Sequence, residues 1–81
     1  RPYEFIRNYI NHEKIPVKLL GGGRDRDYGY LGFSHWAEDD KLMLKNFENI
    51  TGYWPEKPKD LEGIVDSYLF DGKPNYLNLK R

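Results

Sequence analysis

Apolar residues recur along this chain with two different periods, and each period predicts a different kind of element. In residues 2–13, PYEFIRNYINHE, the residues Phe5, Ile6, Tyr9 and Ile10 fall at i, i+1, i+4 and i+5. That spacing draws one stripe along a helix. Glu4, Arg7, Asn8 and Asn11 take the polar side. Pro2 suits a first helical position, where its missing N–H costs nothing. Pro16 ends the helix, because it lacks an N–H and disfavours helix in the residue before it. Residues 15–20, IPVKLL, alternate instead, with Ile15, Val17 and Leu19 on one face. Residues 28–33, YGYLGF, alternate as well, Leu31 and Phe33 on one face and Tyr28 and Tyr30 on the other. Alternation is the mark of a half-buried strand. The intervening GGGRDRD is rich in glycine, which accepts the positive φ of tight connections, so the two runs predict an antiparallel hairpin.

The helical period returns over residues 34–51. Ser34 is placed to cap, and Glu38, Asp39 and Asp40 lie near the N-terminal end, where the helix dipole favours negative charge. Trp36, Met43, Phe47 and Ile50 form the stripe, with Trp36, Phe5, Phe33 and Phe47 as candidate core aromatics. Gly52 stops this helix. Two prolines make YWPEKPK, residues 53–59, a connector. Asp60 then caps a third helix, 61–71, whose Leu61, Ile64, Val65, Tyr68 and Leu69 give the strongest helical repeat in the chain. Gly72 and Pro74 end it. The tail NYLNLKR alternates weakly at Leu77 and Leu79 and suggests a short final strand at the hairpin's edge. The fold class expected is α+β, in the order α-β-β-α-α with a C-terminal β-strand. The helices pack on a short antiparallel hairpin within a single domain, residues 1–81. The first residue is Arg1, compatible with a fragment of a longer chain.

Composition narrows the chemistry. Thirteen basic and 13 acidic side chains cancel, which removes the general electrostatic argument for nucleic acid or anionic membrane. Along the chain the balance shifts only mildly, from +2 over residues 1–33 to −3 over 34–56 and +1 over 57–81. There is no cysteine, so disulfides, thiolate metal ligation and cysteine catalysis are excluded, and a cytoplasmic location is favoured. No apolar run is long enough to span a membrane. Aromatics make up 16% of the chain, with seven tyrosines, more than so small a core must hold.

The Gly-rich stretch LLGGGRDRDYGYLGF fits neither G-x-G-x-x-G nor G-x-x-x-x-G-K-[ST], and the strand expected after it is wrong for a phosphate cradle. His12 and His35 do not have H-x-x-x-H spacing, so no metal site is predicted. No nucleophile elbow or paired-carboxylate pattern occurs, and no cofactor is implied. The residues expected to make contacts are Lys18, Arg24, Arg26, Tyr28 and Tyr30 on the hairpin, with Tyr53 and Trp54 on the connector, since Tyr, Trp and Arg anchor interfaces. The expected function is a small non-catalytic binding or regulatory domain acting on a protein partner. It would be an inhibitor or adaptor of the kind carried by phages and mobile elements. One alternative is a nucleic-acid-binding accessory domain using the hairpin, which the alternating RDRD charges oppose. A second is a small nuclease with His35 as acid–base group and Arg24 or Arg26 as anion stabiliser.

Overall fold

Three short strands form one sheet, and all of them run parallel. The computed structural model describes the whole chain, Arg1–Arg81. Helix α1, Tyr3–Phe5, continues without a break into a π-helical stretch, Ile6–Asn11. Strand β1, Lys18–Gly22, follows. Two 3₁₀ turns, Gly29–Leu31 and Phe33–His35, lead to helix α2, Asp40–Leu44. Strand β2, Thr51–Tyr53, helices α3, Pro58–Leu61, and α4, Val65–Phe70, and strand β3, Asn75–Leu79, complete the chain. No helix is long and apolar enough to cross a membrane.

The strand order is β1-β3-β2, so the last strand lies in the middle. Lys18 pairs with Asn75, Leu20 with Leu77 and Gly22 with Leu79 on one side of β3, and Thr51 with Asn75 and Tyr53 with Leu77 on the other. Parallel neighbours need a long crossover, and α3 and α4 supply it between β2 and β3. One sheet face carries Leu19 and Tyr76 against a buried cluster of Ile10, Leu44, Phe47 and Ile50. The opposite face meets α4, where Tyr68 packs edge-on against Tyr53 and donates its hydroxyl to the Leu19 carbonyl. This second cover is thin: Leu20, Leu69 and Phe70 remain exposed.

The hairpin is the expectation that fails. Residues 28–33 are not a strand: Leu31 N donates to the Tyr28 carbonyl and Gly32 N to the Gly29 carbonyl, closing a 3₁₀ turn. The chain leaves β1 through Gly23 and Asp25, both at positive φ, and a Cβ on Gly23 would run into the Tyr28 ring. The ladder position beside β1 is taken by β3. The tail predicted as an edge strand is thus the central one, and the sheet is parallel, not an antiparallel hairpin. The helices are shorter than their patterns predict. Helix 34–51 reduces to α2 and gives way to β2, while helix 61–71 is interrupted around Gly63 and begins early, with Pro58 at its first turn.

One buried cation joins the three strand exits. Arg24, two residues past β1, is 1% exposed. Its Nε donates to Asn78 Oδ1 at 3.2 Å and its Nη2 to the Asn78 carbonyl at 2.6 Å, both on β3. Its Nη1 reaches Glu56 Oε1 at 2.9 Å, beyond β2. Lys80 shares that carboxylate, and Glu56 is held below the usual carboxylate range, first by Lys80 and then by Arg24. Glu56 is exposed, so removing Arg24 costs chiefly because the buried Asn78 side-chain and backbone oxygens lose their donor. Arg24→Ala is therefore expected to lower stability by about 2 kcal/mol, and Arg24→Lys to recover only part of it, since ammonium cannot match the guanidinium fork. Urea denaturation of the three proteins, followed by circular dichroism, measures this. Unchanged midpoints would show that Arg24 does not secure the sheet.

Candidate functional site

In an open parallel sheet every strand ends on the same side, and ligands and partners meet the loops that leave there. In this protein the longest of those loops is the one after β1, which contains the Gly-rich stretch. Its base is braced. Asp27 N donates to the Arg24 carbonyl, and Ala37 N to the Asp25 carbonyl at 2.8 Å. Arg26 forks onto Glu38, Nε to Oε2 at 2.8 Å and Nη2 to Oε1 at 3.3 Å. The same guanidinium lies 4.2 Å from the centre of the Trp36 ring, a cation–π contact. Glu38 raises the Arg26 pKa above its ordinary value. At the C-terminus Arg81 N donates to Asp27 Oδ2 at 2.7 Å, and the Arg81 guanidinium covers the Tyr28 ring at 4.9 Å.

The tip of this loop is apolar and open. Tyr30 is 77% and Phe33 79% exposed, with Leu31 exposed beside them. Phe33 touches Trp36 edge-on, ring centres 6.2 Å apart. Ser34 and His35 are also exposed, Ser34 Oγ 3.0 Å from His35 Nδ1. No group of three His, Asp or Glu side chains is placed to hold a metal ion.

The structure separates the residues expected to act together. Tyr30 stands free at the tip, while Tyr28 is half-buried under Arg81. Arg26 is exposed but committed to Glu38 and Trp36. Arg24 is interior. Lys18 lies at the opposite, amino-terminal edge of the sheet, paired with Asp71 at 2.9 Å. Tyr53 and Trp54 are half-buried. Trp54 lies on Gly52, where a Cβ would strike its ring, and donates Nε1 to Asp40 Oδ2 at 3.0 Å. Tyr76 donates to the same oxygen at 3.0 Å, and burial above all pushes the Tyr76 hydroxyl pKa up. Asp40, expected as one of several solvated capping charges, is an interior acceptor. Phe33 and Phe5, expected in the core, are exposed. The sequence signal that could have exposed Phe33 is its setting, LGFSH, where Gly32 at φ +82° breaks any continuous strand.

No protein-family model and no solved structure matches the chain. Among curated proteins, an apulose-4-phosphate transketolase subunit of Actinobacillus succinogenes is similar to it, at 28% identity over 79 residues. The match takes in 98% of this chain and 25% of that protein, so the chain spans about a quarter of the length of this relative.

Asp71 is the group whose titration is most displaced. The Lys18 ammonium foremost, then the Lys73 N–H and the Asn75 amide, lower it from 3.8 to about 2. A carboxylate whose pKa falls on folding stabilises the fold above its unfolded value, and that contribution disappears as pH drops through the folded value. Stability is thus expected to decline between 3.8 and about 2. Asp71→Asn should be less stable at neutral pH and show a shallower decline across that window. Thermal melts of both proteins through the window check this, and parallel acid limbs would exclude Asp71 as a contributor.

Proposed function

We propose that this chain is a non-catalytic α/β module that works by docking on another protein surface through the loop tip of Tyr30, Leu31 and Phe33. The observation that carries the reading is the contrast within that loop: a base held by two arginines and a tip of large, solvent-facing apolar rings. Ordering a contact loop in advance lowers the entropy lost on binding. Exposed aromatic anchors supply the apolar area that interfaces use. The pairing of Arg26 with Glu38 leaves little free positive charge at this tip and favours a protein over a nucleic acid.

A second, compatible reading follows from the extent of that similarity. The match runs nearly end to end through this chain, which supports a role as one segment of a transketolase-type subunit. The sheet would then be completed, and its thin face covered, by the rest of such a protein.

A photo-crosslinking residue in place of Tyr30 or Phe33 is expected to capture a discrete protein in the native host, at a yield insensitive to nuclease treatment. The same residue in place of Phe70 serves as the control and should capture little. Equal capture from all three positions, or nuclease-sensitive capture, would reject the tip as a protein-docking surface. The transketolase reading has its own test: this chain replaces the matched quarter of the Actinobacillus succinogenes protein. The chimera should fold, assemble with its companion subunit and retain action on apulose 4-phosphate. A chimera that does not fold would sink the segment reading and leave the docking tip untouched.

A further inference from the structure

The π-helical turn after α1 assembles a polar cavity away from the β1 loop. In an α-helix Arg7 and His12, five residues apart, would point about 140° away from each other. A π turn closes its hydrogen bonds from residue i+5 to residue i. Here His12 N donates to the Arg7 carbonyl at 3.2 Å, which brings the two residues nearer the same side of the helix than an α turn would. Asn8 and Asn11 complete the same wall, and Asn46, on the turn after α2, faces them across the gap. The cavity measures about 460 Å³, within the range of small-molecule sites. No apolar and no acidic side chain lines it.

The wall is held in place without using up its donors. Asn49 N donates to Asn11 Oδ1 and Asn49 Nδ2 to the Asn11 carbonyl, each at 2.9 Å, which locks the end of the π-helical stretch to the turn before β2. Arg7 Nη1 donates to Asn8 Oδ1 at 2.8 Å, and Arg7 pairs with no carboxylate. Most of the Arg7 fork, Asn11 Nδ2, the His12 ring and the Asn46 amide stay available. A lining of this kind repels cations and offers nothing to an apolar ligand. It matches a group that is anionic and accepts hydrogen bonds from several directions, and phosphate has three such oxygens.

We propose that Arg7, Asn8, Asn11, His12 and Asn46 form a binding site for a phosphate group, free or carried on a small polar molecule. Arg7 supplies the charge and a two-pronged donor, and the amides and the imidazole supply donors around it. The helix places Arg7, Asn8, Asn11 and His12, at i, i+1, i+4 and i+5, along one wall, and the π turn draws its two ends, Arg7 and His12, closer together.

Titration of the isotopically labelled full chain with inorganic phosphate, at constant ionic strength, tests this by NMR. Saturable shifts are expected at Asn8, Asn11, His12 and Asn46, with none from chloride. Arg7 is exposed, so Arg7→Gln should keep the fold and weaken binding at least about tenfold. Asn46→Asp, which adds a negative charge to the facing wall, should abolish binding independently. A sugar phosphate that binds more tightly than inorganic phosphate, its parent sugar being silent, identifies a phosphate ester as the ligand. Equal binding identifies the free ion. Shifts that do not saturate, that chloride reproduces, or that persist unchanged in folded Arg7→Gln and Asn46→Asp would overturn the proposal.

Discussion

The fold depends on a guanidinium in its interior. A three-stranded parallel sheet has little to hold its strands in register, because each strand is only three to five residues long and no hairpin links neighbours. Arg24 compensates by binding the side chain and the backbone of Asn78 and the carboxylate of Glu56. It thereby ties the exits of β1, β3 and β2 to one planar group. Burying a charge is costly, and the arrangement holds because carbonyl, amide and carboxylate acceptors surround it. The same residue begins the loop that carries the exposed tip. Sheet register and loop orientation are therefore coupled through one side chain.

Polar groups do much of the interior work that side-chain volume does in larger domains. A chain of 81 residues buries a modest share of its surface, and the buried apolar cluster holds four residues. The central strand instead carries Asn75 and Asn78, both at or below 1% exposure. Asn75 Nδ2 donates to the Tyr68 carbonyl and to Asp71, tying β3 to the end of α4. Asn78 Nδ2 donates to the Tyr76 hydroxyl, which in turn donates to Asp40, where Trp54 also ends. A hydrogen-bonded path thus runs from Glu56 through Arg24, Asn78 and Tyr76 to Asp40, linking all three strands to α2. Such a network specifies one arrangement because any misplaced partner leaves a buried polar group unmade.

The two surfaces proposed to act are built in opposite ways. The β1 loop is a braced base with an apolar tip, which suits the burial of aromatic area. The π turn is a wall of donors with no apolar lining, which suits a small oxyanion. Neither uses the connector YWPEKPK, where Trp54 serves the interior and Tyr53 packs on Tyr68.

Local pattern was enough for part of this architecture. The amphipathic stripe Phe5–Ile10 and the stops at Pro16, Gly72 and Pro74 mark elements that exist, since helix periodicity and backbone restriction act within a few residues. The same kind of reasoning produced the hairpin. Two alternating runs across a glycine-rich link look alike whether they pair with each other or not. The partner of β1 lies more than fifty residues away in a segment with two asparagines, too polar to read as a central strand. Only when Arg24, Asp71 and Tyr68 converge on those asparagines does their burial become favourable. The sequence by itself determined the first helix, the extended run that becomes β1 and the stops at Pro16, Gly72 and Pro74, and that the chain is neutral and cysteine-free. Tertiary structure decided the parallel order, the interior place of Arg24 and the exposure of Tyr30 and Phe33. Each of these depends on hydrogen bonds and packing between residues far apart in the chain, and no local period records them.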